Sequence, residues 1–210
     1  MQTYEHLPNF PASSPPPPPA SEKNALVFIG GLGDGPHTIP YVRTLAERLF
    51  SSSSAAAAAG PSSSYSVFEA RLTSAFTAFG YGSLAQDVRE IGDLVRYLRK
   101  DLGMRKVVLM GHSTGCQDCL EYGTKFLFDS SSSDEEGVRV DGFVLQGPVS
   151  DREAIAMVED AGEVEAALRV AEEMVKERKA GDIMPQDAMP AGWKGSPVTA
   201  YRWLSLAGVG

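Results

Sequence analysis

Hydrophobic positions along this chain follow two alternating rhythms. Ala25-Leu26-Val27-Phe28-Ile29 is a continuous apolar run closed by Gly30 and Gly31, and a strand that is apolar on both faces belongs inside a parallel sheet. From Pro40 to Phe50 the apolar residues Val42, Leu45, Ala46 and Leu49 recur at three and four, which is the stripe of a helix lying on that sheet with Pro40 in its first turn. The strand pattern returns at residues 65–72. A long helix follows, with Ser83 and Gln86 as a capping box, Leu84, Val88, Ile91, Leu94, Val95, Leu98 and Leu102 on one stripe, and Gly103 just past its end. Residues 106–111 give a third strand, residues 115–128 a helix, and residues 140–147 a fourth strand. Ser150 and Glu153 form another capping box and open two helical segments, 151–161 and 163–180, split near Gly162.

Strand and helix in alternation predict one α/β domain over residues 25–210, a partial parallel sheet flanked by helices. The helical segment 151–181 reads equally well as a lid over a pocket or as a packed hairpin. Three stretches show neither rhythm. Residues 1–24, with Pro15 to Pro19, are expected to form a disordered proline-rich tail, Ser51 to Ser64 a disordered Ser/Ala insertion, and Ser130 to Gly137 a solvated loop.

Composition narrows the partners. Nineteen Lys and Arg against twenty-seven Asp and Glu leave a net charge of −8, which repels nucleic acid and anionic lipid. No apolar run of membrane-spanning length and no basic start followed by an apolar stretch occurs, so the expected location is the cytoplasm. Cys116 and Cys119 stand in a C-x-x-C spacing. They fall inside a helix that packs on the sheet rather than at an exposed helix start, and read as small core residues; zinc would need more ligands than lie nearby, so no metal is expected.

The chemistry converges on Val107-Val108-Leu109-Met110-Gly111-His112-Ser113-Thr114-Gly115. A Gly-x-Ser-x-Gly between an apolar strand and a helix puts the serine on a sharp turn with its hydroxyl facing out, the nucleophile elbow of the α/β-hydrolase fold. Gly30-Gly31-Leu32-Gly33-Asp34-Gly35 follows the first apolar strand. It lacks G-x-G-x-x-G and any Gly-Lys-Ser/Thr, and Asp34 would oppose a phosphate, so no nucleotide cofactor is expected. An oxyanion-hole loop suits it better, with backbone N–H donors at Leu32 and Thr114.

Four segments, Gly30 to Gly35, Met110 to Asp118 with its Gly-His-Ser-Thr-Gly-Cys-Gln-Asp, Gln146 to Asp151, and Tyr201 to Leu206, stand in one order. With them the chain resembles the fungal and plant α/β-hydrolases that include an intracellular siderophore esterase, over about residues 25–210. The resemblance implies a serine esterase with Ser113 as nucleophile, acting on a small-molecule ester such as a hydroxamate siderophore. In this fold an acid and a histidine follow the serine on loops after later strands. Those strands are not found before Gly210, so the acid and base are expected beyond residue 210 and the chain is read as C-terminally truncated. Of the three histidines, His6 lies in the tail and His112 beside the serine faces away from it. His37, near the oxyanion loop, is the one that could approach the pocket. The alternative function is a non-catalytic hydrolase-like protein that binds a ligand through the same pocket.

Overall fold

The apolar run at residues 25–29 lies at the centre of the sheet. In this computed structural model the described residues are 2–5, 23–56, 64–128 and 137–208. The elements are β1 (Gln2–Glu5), β2 (Lys23–Ile29), α1 (Pro40–Ala56), β3 (Ser64–Arg71), α2 (Leu84–Lys100), β4 (Lys106–His112), α3 (Gly115–Gly123), β5 (Gly142–Gln146), α4 (Asp151–Val158), α5 (Ala161–Lys176) and α6 (Ala200–Ala207). Five strands form one parallel sheet in the order β1-β3-β2-β4-β5.

The chain divides into two compact units, residues 1–72 with 84–148, and residues 73–83 with 149–210. In the first, alternate residues of β2 are sorted onto the two faces of the sheet, as the pleat requires. Ala25, Val27 and Ile29 are buried with Val88, Ile91, Val95 and Leu98 of α2 and with Cys119 and Tyr122 of α3. Leu26 and Phe28 are buried on the other face with Val42 of α1, Val67 and Met110. The stripe read from α2 is therefore the one it buries, and Gly103 past its end has φ 64 while the Met104 N–H returns to the Leu98 carbonyl at 2.9 Å. Asp141 fixes the start of β5, accepting from the Val107 N–H at 2.7 Å and from Arg99 of α2 at 2.6 Å.

Three expectations are corrected here. Gln2–Glu5 is a strand parallel to β3, paired through Phe68 to Arg71, and β2 begins at Lys23, so the tail expected over residues 1–24 is structured at both ends. Residues 6–22, with the proline tract, lie outside the described residues. The helix expected to stop at Phe50 runs on to Ala56, because serine and alanine carry no helix-breaking side chain and alanine is the strongest helix former. The remainder of the Ser/Ala insertion, residues 57–63, and residues 129–136 lie outside the description.

In the second unit the break between α4 and α5 falls at Glu159 and Asp160, not at Gly162. The Asp160 carboxylate caps α5 by accepting from the Gly162 and Glu163 N–H groups at 2.9 and 3.0 Å, which places Gly162 inside the first turn. The Ser150 cap of α4 forms as expected, with its hydroxyl accepting from the Glu153 N–H at 3.3 Å. Trp203 of α6 is wholly buried and packs edge-on against Trp193, ring centroids 5.1 Å apart. Beside it Arg202 donates from Nε to the Phe79 carbonyl at 3.1 Å. No helix among the described residues is long and apolar enough to cross a membrane.

Candidate active site

The site is built where β4 ends. β4 stops at His112 and α3 begins at Gly115, so Ser113 sits on the turn between them with φ 53. That left-handed backbone is costly for any residue with a side chain and is held only when its surroundings over-determine it. Here the surroundings are backbone contacts. The Ser113 N–H donates to the Gln146 carbonyl at the end of β5 at 3.0 Å, and the Ser113 carbonyl accepts from the Cys116 N–H at 3.1 Å.

The two flanking glycines are required by space rather than by their own dihedrals. A Cβ at Gly111 would stand 2.5 Å from the Gly115 carbonyl oxygen and 2.7 Å from the Cys116 backbone. One at Gly115 would run into the carbonyl oxygens of Gly30 and Ile29, so α3 starts in backbone contact with the end of β2. The loop after β2 is equally close to the serine: a Cβ at Gly31 would lie 3.0 Å from Ser113 Cβ.

That loop is held from within. Asp34 accepts from the Gly31 N–H at 2.8 Å, its own N–H returns to the Gly31 carbonyl at 2.9 Å, and its second carboxylate oxygen accepts from the Thr38 hydroxyl at 3.2 Å. The far end of the loop is tied to β3. Glu69, buried in β3, accepts from the His37 N–H at 3.0 Å, and His37 Nδ1 lies 3.2 Å from the same oxygen. Of the two expected oxyanion donors, Leu32 lies between Gly31 and Gly33 on this loop and Thr114 directly follows the serine. Among the described residues neither of their N–H groups donates a hydrogen bond, and the Ser113 hydroxyl makes none.

Residues 16–210 match the model of a family described as a protein of unknown function, DUF1749. The chain belongs to that family. This DUF1749 chain is 33% identical over 215 residues to the fusarinine C esterase sidJ of Aspergillus fumigatus, an alignment covering 87% of this chain and 57% of that protein. It superimposes on the siderophore hydrolase EstB of the same species with a TM-score of 0.64 at 29% identity, covering 90% of this chain and 58% of the other. An α/β hydrolase fold protein of unknown function superimposes with a TM-score of 0.53 at 22% identity, covering 89% and 54%, a likeness of fold. The DUF1749 chain thus has the α/β-hydrolase fold and esterase and hydrolase relatives, and it spans about half the length of the relatives it matches.

Two polar residues of this DUF1749 site, Gln146 and Tyr41, were not singled out from the sequence, and a third, Asp34, is legible there only as a charge that opposes a phosphate. Gln146 holds Ser113 through its carbonyl, while its side-chain oxygen contacts His112 Nδ1 and accepts from the Tyr41 hydroxyl at 3.1 Å. Tyr41 stands edge-on to Phe28 and His112, with centroids 6.0 and 5.9 Å away. Burial, and then the Cys116 and Asp34 groups, push the Tyr41 phenol up, so it stays a proton donor. His112 therefore stacks on Phe28 over the α1 face of the sheet. Both cysteines are buried and unbridged, and burial pushes both thiols up, which is the reverse of a reactive pair.

Proposed function

We propose that this chain carries the nucleophile half of a serine esterase acting on a small-molecule ester. The observation that supports it most is the left-handed Ser113 backbone, φ 53, between a strand and a helix whose flanking glycines admit no Cβ. A strained serine persists where its function needs it. In the proposed reaction Ser113 Oγ bonds to the ester carbonyl carbon while a base takes its proton. The carbonyl oxygen becomes an oxyanion held by the Leu32 and Thr114 N–H groups, the C–O bond to the alcohol breaks with that proton passing to the leaving alcohol, and water then hydrolyses the acyl-enzyme. The relatives' names, fusarinine C esterase and siderophore hydrolase, support a siderophore ester as substrate. By its place in the chain after β5, the 151–181 segment is proposed as the lid.

The competing reading is a ligand-binding protein without catalysis, and one observation favours it. In this fold a histidine ordinarily takes the serine proton, yet His112 Nδ1 meets Gln146 and His37 Nδ1 meets Glu69. A fluorophosphonate probe separates the two. Labelling of the wild type at Ser113, absent in Ser113→Ala, supports the esterase; a folded chain that takes no label supports the binding protein.

A further inference from the structure

The loop after β2 approaches Ser113 at Gly31 and carries two adjacent amides, those of Gly31 and Leu32, which the structure treats differently. The Gly31 N–H is already bonded to a carboxylate, Asp34 Oδ2 at 2.8 Å, whereas the Leu32 N–H is bonded to nothing among the described residues. We infer that Asp34 is a positioning residue of the oxyanion hole: it takes up the Gly31 amide, locks the Gly31 to Asp34 turn, and so leaves the next amide, that of Leu32, held in place as a donor for an ester carbonyl.

Several contacts show that this carboxylate is built into the turn. Asp34 closes it twice, by side chain and by its own N–H to the Gly31 carbonyl at 2.9 Å. A Cβ at Gly30 would lie 2.7 Å from Asp34 Cβ, and one at Gly31 would lie 3.3 Å from Asp34 Oδ2 and 3.0 Å from Ser113 Cβ. Carboxylate, glycine and serine are thus stacked at van der Waals distance, and a shift of Asp34 is passed to the loop beside the nucleophile. A free carboxylate there would oppose an oxyanion. Its charge is instead engaged by the Gly31 amide and the Thr38 hydroxyl, the latter at 3.2 Å. Thr38 has a single hydroxyl hydrogen, which lies between Asp34 Oδ1 and the nearer Gly35 carbonyl at 2.8 Å, and His37 ties the loop to Glu69. Preorganised donors stabilise an oxyanion because they need no rearrangement when charge develops; Asp34 supplies that rigidity without touching the substrate.

This role rests on the esterase reading, and two measurements keep them apart. The first is amide hydrogen exchange of the 15N-labelled chain by NMR. Gly31 is expected to be protected and Leu32 to exchange freely; Asp34→Ala raises the Gly31 rate about tenfold or more, while Asp34→Asn, which keeps an acceptor oxygen, stays within about threefold of wild type. The second is the fluorophosphonate rate at Ser113: Asp34→Ala lowers the maximal rate about tenfold with the probe's half-saturation unchanged, and Asp34→Asn restores most of it. If Asp34→Ala does not fold, Thr38→Val serves, with an expected rise of about threefold in Gly31 exchange. Unchanged Gly31 exchange in the variant that folds overturns the proposal, as does a labelling rate equal to wild type despite a loosened turn. A wild type that takes no label defeats the esterase reading alone, and Gly31 exchange then decides the role of Asp34.

Discussion

The Ser113 N–H donates to the Gln146 carbonyl at 3.0 Å, so the tip of β5 holds the turn that ends β4. The same glutamine, through its side chain, receives the Tyr41 hydroxyl of α1 and meets His112. One residue therefore joins the strained serine to the elements on either side of it. The strain is borne by the sheet, because the bond to Gln146 is available only while β5 stays in register with β4, His112 opposite Gln146.

Substitutions at Ser113 should separate chemistry from strain. Ser113→Ala is expected to remove labelling and any ester hydrolysis while leaving cooperative unfolding intact, since a half-buried hydroxyl with no partner contributes little packing. Ser113→Gly should lose the chemistry too, yet be more stable than Ser113→Ala by about 1 kcal/mol, because glycine adopts φ 53 without cost. Denaturant titration of the two variants reads the difference, and equal stabilities would mean that the turn is not strained.

Gly115 tests the contact between α3 and the end of β2. A methyl group there meets two carbonyl oxygens, Ile29's at 2.5 Å and Gly30's, and backbone cannot move aside as a side chain can. Gly115→Ala should therefore destabilise the first unit by about 3 kcal/mol. Gly33→Ala meets nothing within 4 Å and carries only the penalty of φ 80, about 1 kcal/mol. A Gly115→Ala protein as stable as Gly33→Ala would show that α3 can shift off the sheet.

How far the sequence discloses this site follows from the kind of signal each residue carries. β2 and β4 are legible because both faces are buried, which leaves unbroken apolar runs at Ala25 to Ile29 and Val107 to Met110. The elbow is legible because its crowding excludes side chains, so Gly111 and Gly115 stand in the sequence as glycines. β1 is not legible: Gln2–Glu5 has no apolar run and joins β3 through backbone pairing. Nor are Tyr41 and Gln146, 105 positions apart, which only the fold brings to 3.1 Å. Asp34 is legible only as a charge that argues against a phosphate, and its bond to Gly31 depends on a turn conformation that no residue pattern encodes.

The cysteines give a pH dependence with a definite sign. Burial raises the thiol pKa of Cys116 and Cys119 in the folded protein above the ordinary value of 9.0, while in the unfolded chain both ionise near it. Below about pH 8 both states are protonated and their contribution is fully present. As pH rises past 9 the unfolded state loses protons that the folded state keeps, so it binds fewer, and stability falls with pH. The melting temperature should drop between about pH 8.5 and 10.5, and the Cys116→Ala, Cys119→Ala double variant should show a shallower drop across that interval. Parallel curves would remove the thiols as its cause.

β5 supports a last expectation. It is the outermost strand on its side of the sheet, and its consecutive residues Val144 and Leu145 remain 44% and 39% exposed. Consecutive strand residues face opposite sides, so this edge is apolar above and below. Its outer row of backbone N–H and C=O groups has no strand partner among the described residues. Short length and charge are the usual protections of such an edge, and Gly142–Gln146 has the first but not the second. Two copies related by a twofold axis could pair β5 to β5, satisfying backbone groups and covering both apolar side chains at once. The 210-residue chain should accordingly self-associate, its sedimentation coefficient rising over about 10 to 300 μM. Val144→Lys should return it to a monomer, because a like charge then stands on each edge at the point of pairing. The first unit should remain folded in that variant, since Val144 is among the exposed residues. A wild-type chain monomeric throughout the range, or a lysine variant that associates equally, would show that this edge does not recruit a second copy.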